Sequence, residues 1–377
     1  MSIVCSTEFS VRAPDDAEWR TLAADLLPDT RFISAAWIKA WGQSFLPHQN
    51  WLPPLRYLTA RAADGRLLAV FPLATQKQSG FSVASLGGFY WPFRSPVIPE
   101  NAGAEAMAAL AAAFTASRDI AALRYGPVPE THAAIDGLNQ ALEQRGWRVH
   151  RVNLGETYAV ELPASWPEFE RRLSKSLRDD ASYDERKMRR DGDVDIRCAR
   201  DMPAASWADV VTDLATIEGE SWQWREGGKL RFIGDRNHAF WKSLLADSSA
   251  AAVVSVWIMY FKSEPVSFCL CLDCGDVRHI VANNYSEHVR RYGTGSILYK
   301  HVFRDAIESP VVRRVNLGLG DPGYKSRWGA RPSFRLVDWI AFRPGPRGRL
   351  PELAYAIRQR IRDRSDADTL APAADCA

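Results

Sequence analysis

Long apolar runs are missing from this 377-residue chain. The nearest approach, residues 102–113, is short and dominated by alanine, so no membrane span is predicted. The N-terminus has no basic stretch leading into an apolar one, and no secretory signal is read there. With six scattered cysteines and no such signal, no disulfide framework is expected, and the chain is expected in the cytoplasm. Charge of one sign is also scarce. The chain has 48 Lys and Arg against 45 Asp and Glu, a net +3, which gives no field that would draw in DNA. There is no His-Glu-x-x-His, no Gly-x-x-x-x-Gly-Lys-Ser/Thr and no Gly-x-Ser-x-Gly, so three familiar hydrolase and nucleotide chemistries receive no support. Cys269, Cys271 and Cys274 lack a second ligand pair at a zinc-site distance. Alternation puts Cys269 and Cys271 on one strand face, so they read as buried apolar residues, and no metal is expected.

What is present is an ordinary soluble composition, 46% hydrophobic and 25% charged, at a length that suits two domains. Fourteen tryptophans are many, and most are assigned to core packing. In the second half, β-rich runs at 252–261, 266–273 and 277–285 are separated by turn residues and read as an antiparallel meander. A helix at 296–308 follows, then strands at 312–319 and 334–342. Leu298, Val302 and Ala306 recur every four residues, with Ile297 and Ile307 alongside, which predicts a helix half-buried on a sheet. The first half repeats the order: strands at 55–61, 66–76 and 81–86, a loop at 87–99, a helix at 102–117, a strand at 120–125, a helix at 131–145 and a strand at 158–162. The repetition predicts an internal structural duplication. Between the halves, residues 167–192 form a highly charged helical stretch, read as a solvated linker or as a basic arm guiding an anionic substrate. From Asp366 onward the tail is Ala/Asp-rich and reads as disordered.

Between the third strand and the helix lies Arg290-Arg291-Tyr292-Gly293-Thr294-Gly295-Ser296, an Arg-x-x-Gly-x-Gly pattern. Glycine lets the backbone approach a ligand closely. The first helical turn leaves N–H groups unpaired and carries the positive end of the dipole. Together these make a pyrophosphate cradle. The pattern resembles the Arg/Gln-x-x-Gly-x-Gly/Ala signature of GNAT-superfamily acyl-coenzyme A transferases. The first half lacks it. Its corresponding loop, Gly87-Gly88-Phe89-Tyr90-Trp91-Pro92-Phe93-Arg94, is bulky where a phosphate needs room, so only the second half is expected to hold acyl-CoA.

Further segments extend the resemblance along nearly the whole chain. They are Arg31-Phe32-Ile33-Ser34-Ala35-Ala36-Trp37 with Trp41, the run from Leu173-Ser174-Lys175-Ser176-Leu177-Arg178 to Arg189-Arg190, Glu218-Gly219-Glu220-Ser221-Trp222, Tyr285 through Leu298, and Asn316 through Trp328. The chain resembles the CelD-type, or BioF-like, tandem-GNAT acetyltransferases, which are distantly similar to Fem-type peptidoglycan aminoacyltransferases. Where many relatives read Ser-Pro-Gly in the loop, this chain has Tyr292-Gly293-Thr294-Gly295, nearer to a standard GNAT loop. The organisation implied is α/β, with two tandem GNAT-like domains, each a mixed, mostly antiparallel sheet flanked by helices. They are expected at 1–165 (degenerate) and 193–348 (acyl-CoA-binding), with a charged helical linker at 166–192 and a terminal helix and tail at 349–377.

The resemblance implies transfer of an acetyl or other acyl group from acetyl-CoA, as cosubstrate, to an amine or hydroxyl. The acceptor implied is an exopolysaccharide or cell-envelope sugar precursor, with association with polysaccharide-synthesis machinery. Two rivals remain: an aminoacyl-tRNA-dependent Fem-type transferase, and a non-catalytic component of a polysaccharide-synthesis complex. Arg290, Arg291, Gly293, Thr294, Gly295 and Ser296 are the expected cofactor loop. Acyl transfer needs a base for the acceptor's proton and a donor for the leaving thiolate. Glu220, beside tryptophan, is the candidate base, with Glu218 the weaker alternative. Tyr324 is the candidate donor to sulfur, and Lys325 a candidate for a phosphate or an anionic acceptor group. Asn284 and Tyr285, with Asn283 and Trp222, are candidate substrate contacts at a strand end; His279, alone on its strand, reads as structural.

Overall fold

A computed structural model describes residues 5–31, 33–47, 51–78, 80–88, 96–228 and 230–357. Phe32, the bulky part of the first-half loop and the Ala/Asp-rich tail lie outside the described residues. Among the described residues, thirteen strands form one mixed sheet. In chain order they are β1 (Ser6–Ser10), β2 (Trp51–Arg61), β3 (Leu67–Gln78), β4 (Phe81–Leu86), β5 (Ala122–Arg124), β6 (Val128–Pro129), β7 (Arg148–Glu161), β8 (Val194–Ala199), β9 (Val254–Phe261), β10 (Glu264–Cys274), β11 (Val277–Tyr285), β12 (Arg314–Leu319) and β13 (Arg331–Phe342). Their spatial order is β1-β2-β3-β4-β5-β13-β7-β12-β11-β10-β9-β8, with β6 on β13.

That order reads alike from both ends. β1 to β4 form an antiparallel run that meets β5 in parallel, and β8 to β11 form one that meets β12 in parallel. Each half is completed by the last strand of the other: β13 pairs with β5, β7 pairs with β12, and β7 and β13 pair with each other. The expected duplication is therefore present as two GNAT-like sheets fused edge to edge.

Helices cover both faces. On one face, helices Asp16–Ala24 and Ala35–Phe45 of the first half share an apolar cluster with Trp207–Gly219 and Asp235–Leu245 of the second. Ser34 starts Ala35–Phe45 by accepting from the Trp37 N–H at 3.1 Å, the usual service of an N-cap serine. Trp37 meets Phe240 and Trp241 edge-on at 5.2 and 6.1 Å, so aromatic packing joins the halves. Trp19, Trp41, Trp207 and Trp241 are fully buried, as expected of core tryptophans. The other face carries separate clusters for each half, under helices Ala104–Ala116 and Ala133–Glu143 in the first and under Lys175–Asp191 and Thr294–Glu308 in the second.

Two element readings are corrected. The charged stretch at 167–192 is two helices, Trp166–Arg172 and Lys175–Asp191, because Ser174 breaks the first and caps the second through the Leu177 N–H. The strand at 158–162 is the end of β7, whose first nine residues are partly buried or exposed and so carry no apolar alternation. No described helix is long and apolar enough to cross a membrane. Cys269, Cys271 and Cys274 are buried free thiols.

Candidate functional site

β11 and β12 stay parallel for three rungs, Val277 with Arg314, Arg278 with Val315 and His279 with Asn316, and then part. On its other side β11 carries a bulge: Leu270 faces Ala282 while Cys271 faces Ile280, leaving Val281 as the extra residue. Its carbonyl is taken by the guanidinium of Arg231. Between the parted strands opens a cleft of about 500 Å³. Asn283, Asn284 and Tyr285 line it from the end of β11, and Gly295, Ser296, Leu298 and Tyr299 from the helix Thr294–Glu308. Pro322, Tyr324 and Trp328 enter from beyond β12, and Trp222 and Gln223 from the short helix Trp222–Arg225. Phe268 and Cys269 of β10 complete it. No Asp, Glu, Lys, Arg or His lines the cleft among the described residues.

The helix Thr294–Glu308 opens at the cleft with no side chain capping its N-terminus; the Ser296 N–H donates to the Gly293 carbonyl at 2.9 Å, and the positive end of the helix dipole faces the ligand space. Gly293 ends the preceding 3₁₀ turn in the left-handed region, at φ +57°, and a Cβ there would stand 2.5 Å from an Asp184 carboxylate oxygen. A Cβ on Gly295 would meet nothing within 4 Å, so the space over that residue is open. Asp184, behind Gly293, is a carboxylate unsuited to a nearby phosphate. Burial pushes its carboxyl upward, which lessens the charge it presents.

Seven of the expected site residues therefore line one cleft: Trp222, Asn283, Asn284, Tyr285, Gly295, Ser296 and Tyr324. Gly293 and the buried Thr294 shape the loop from behind. Arg290 and Arg291 lie outside the lining on the 3₁₀ turn, with side chains 72% and 67% exposed. Arg290 faces Glu287 at 3.8 Å, and Arg291 reaches Asp191 at 3.3 Å and lies over the Tyr292 ring. Glu220 is also outside the lining. Its carboxylate, 49% exposed, accepts from the buried Ser286 hydroxyl, which also contacts His288 Nδ1 at 2.9 Å. Glu218 is buried, and its two oxygens accept from the backbone N–H groups of Arg231, Phe232 and Ile233, so it serves the loop and not the chemistry.

Lys325 requires a correction. It was expected at an anionic ligand, but it is buried, and its amine donates to the carbonyls of Gly318 and Leu319 at 3.0 and 2.9 Å. Burial pulls its pKa down to about 8. A neutral amine still has two N–H bonds, one for each carbonyl. Lys325 thus satisfies carbonyls at the end of β12.

Tyr299 was not singled out from the sequence. Its signal was its spacing, since it follows Gly295 by four and Ser296 by three on one helix and so shares their face. Its hydroxyl accepts from the Asn283 side-chain N–H at 2.6 Å. Burial, and then the nearby Tyr324 phenol, hold its pKa well above the ordinary phenol range.

The first half has the same parting after β4 and β5, paired through Val83 to Ser85. There the start of the loop is filled: Trp37 donates its indole N–H to the Gly88 carbonyl at 2.8 Å, and a Cβ on Gly88 would run into Ile38.

A sheet whose parallel strands part over an uncapped helix N-terminus is a GNAT-like arrangement. Consistent with this, residues 175–326 match the acetyltransferase (GNAT) domain family. No curated protein sequence matches the chain. Among solved structures, it is similar to FemX at 11% identity, covering 88% of this chain and 96% of that one with a TM-score of 0.59. It is also similar to the C-terminal domain of a putative lysylphosphatidylglycerol synthetase from Agrobacterium fabrum, at 14% identity over 91% and 97% of the two chains with a TM-score of 0.52. A conserved protein of unknown function from Bacteroides thetaiotaomicron aligns at 11% identity over 88% and 98%, with a TM-score of 0.51. At such identities the likeness is one of fold.

Proposed function

We propose that the protein moves an acetyl or other acyl group from acyl-CoA directly to an acceptor amine or hydroxyl while both are bound. The observation that carries this reading is the uncharged cleft between β11 and β12, opening onto the uncapped helix at Gly295 and Ser296. The helix terminus suits a pyrophosphate, and the narrow, mostly apolar cleft suits an acyl-bearing arm. Tyr324, 38% exposed and lining the cleft, is the proton donor to the leaving sulfur. Glu220, two residues before the cleft-lining Trp222, is the base for the acceptor's proton. Asn284, Tyr285 and the half-exposed Trp222 bind the acceptor. Aromatic faces and amides without charged groups favour an uncharged polyhydroxy acceptor. This supports the sugar precursor of an exopolysaccharide or envelope polymer implied by the CelD-like resemblance, and association with the machinery that builds it.

Calorimetric titration with acetyl-CoA tests the reading. Micromolar binding corresponds to about −8 kcal/mol. It is expected for the wild type, weaker for Arg290→Ala, and lost in Gly295→Asp, which sets a carboxylate in open space at the helix terminus. Absence of binding by folded wild type, for acetyl-CoA and longer acyl-CoAs alike, would overturn it in favour of an aminoacyl-tRNA donor or a non-catalytic role.

A further inference from the structure

We propose that Asp29, a residue of the first half, is a positioning residue for the cleft of the second. It fixes the end of β12, and with it the turn that carries Tyr324 and Trp328, through a chain running Asp29 to Asn316 to Gly318 to Lys325. The proposal rests on the acyl-transfer reading of the same cleft. Asp29 sits in the 3₁₀ turn Pro28–Thr30 and is buried. Its Oδ1 accepts from the Asn316 side-chain N–H at 2.9 Å, and its Oδ2 from the Arg314 guanidinium at 2.5 Å. Asn316 is fully buried, and its own Oδ1 accepts from the Gly318 backbone N–H at 2.8 Å. An amide oxygen only accepts and its nitrogen only donates, so Gly318 turns the Asn316 nitrogen towards Asp29. The Gly318 carbonyl accepts in turn from Lys325 Nζ at 3.0 Å.

The chain stands where the sheet stops holding β12. His279 with Asn316 is the last rung shared with β11. On the other side Asn316 faces Ala159 and Leu319 faces Thr157, so β12 carries an extra residue, and Gly318 takes a left-handed backbone at φ +79°. Leu317 and Gly318 thus stand outside both ladders, and buried backbone groups there need other partners. Asn316 supplies the acceptor for Gly318 and Lys325 the donor. Asp29 anchors Asn316 from a closed turn: Pro28 begins it, and the Thr30 hydroxyl donates to the Leu27 carbonyl at 3.0 Å. Downstream, Lys325 directly follows Tyr324 in the short helix Tyr324–Arg327. The Asp321 carboxylate accepts there from the N–H groups of Gly323, Lys325 and Ser326 at 2.7, 3.0 and 3.1 Å. A shift of Gly318 therefore moves the foot of a stiff turn that sets Pro322, Tyr324 and Trp328 in the cleft wall.

Two donors, from Arg314 and Asn316, converge on Asp29, so the position needs two acceptor atoms. Asp29→Asn offers one and turns an N–H against the other donor. Asn316→Asp keeps the acceptor for Gly318 but sets two carboxylates against each other. The exchange of the pair, Asp29→Asn with Asn316→Asp, restores the contact with its polarity reversed. The amide at position 29 then donates to the carboxylate at 316, whose second oxygen still receives the Gly318 N–H. A displaced wall spoils the alignment of the reacting groups. It leaves the hold on acyl-CoA intact, because the proposed pyrophosphate end lies at the helix Thr294–Glu308, on the other side of the cleft.

The test compares wild type, Asp29→Asn, Asn316→Asp and the double exchange, with thermal melts to verify the fold. Amide hydrogen exchange is read by mass spectrometry on peptides covering residues 316–328. Each single substitution should speed exchange there about tenfold and leave β8 and β9 unchanged, and the double exchange should bring the protection back. With acetyl-CoA as donor and water as stand-in acceptor, the single substitutions should lower kcat roughly tenfold while the calorimetric affinity for acetyl-CoA stays the same. The double exchange should recover most of that loss. Three results would each overturn the proposal: unchanged exchange at 316–328 in the single variants, a fall in melting temperature with kcat intact, or a double exchange that fails to fold or to recover. Failure of folded wild type to bind acetyl-CoA would overturn the acyl-transfer reading instead, and the exchange readout would still decide the chain.

Discussion

Glu218 and Glu220, with one residue between them at the end of one helix, have opposite surroundings. Glu218 is buried and saturated by three backbone N–H groups, whereas Glu220 is half in solvent and, among the described residues, meets a serine hydroxyl and the edge of a histidine. Their substitutions should separate stability from activity. Glu218→Ala orphans buried donors and should cost about 3 kcal/mol. Glu220→Gln should stay within about 0.5 kcal/mol of wild type, as for a surface position, and slow transfer. Urea midpoints read the first effect and turnover reads the second.

The two glycines of the loop should also part company. Gly293→Ala forces a left-handed backbone on alanine and brings its Cβ against Asp184, so it should cost about 1–2 kcal/mol. Gly295→Ala lies in the first helical turn with open space around it and should not destabilise, since alanine favours a helix over glycine. Thermal melts of the two variants check this.

Acid should weaken the second half through His279. This histidine is fully buried on β11, with Asp29, Arg314 and Asp273 as its charged neighbours, and burial pulls it from 6.5 to about 4. Between those values the unfolded chain takes up a proton that the folded chain refuses, so stability falls as pH drops from 6.5 to 4. Denaturation across that window should show the slope, and His279→Asn should flatten it even if that variant starts lower.

Arg278 is buried beneath Trp257, paired with both Asp273 oxygens at 2.7 Å and with Asp305 at 2.7 Å. Arg278→Met keeps the volume but strands the partly buried Asp273 carboxylate and leaves Asp305 to Arg200, at 2.7 Å. A loss of about 3 kcal/mol is expected, read from chemical denaturation.

The sequence was most legible where one local rule governs one element. β4 and β11 lie where the alternation of residues put them, and the helix Thr294–Glu308 begins two residues before its expected start. The cleft was legible in part, because Gly295, Ser296, Asn284, Tyr285 and Tyr324 flank the glycine pattern or follow the next strand. Tertiary pairing decided the rest. β7 is held by β13 and β12 along most of its length, and nothing in its own Arg-, His- and Asn-containing sequence announces that. Lys325 looked available beside a turn, and only the folded chain shows two carbonyls waiting for it. The contact between Asn283 and Tyr299 joins a strand end to a helix across the loop, out of reach of any local pattern.

The crossing of β7 and β13 bears on how such a molecule could be taken apart. A fragment ending before β13 would leave β5 with a bare edge, and one starting after β7 would leave β12 with another. Each half borrows its closing strand from its sibling, so neither is a portable module. The first half thus supplies β7, the strand against which β12 of the second half is registered.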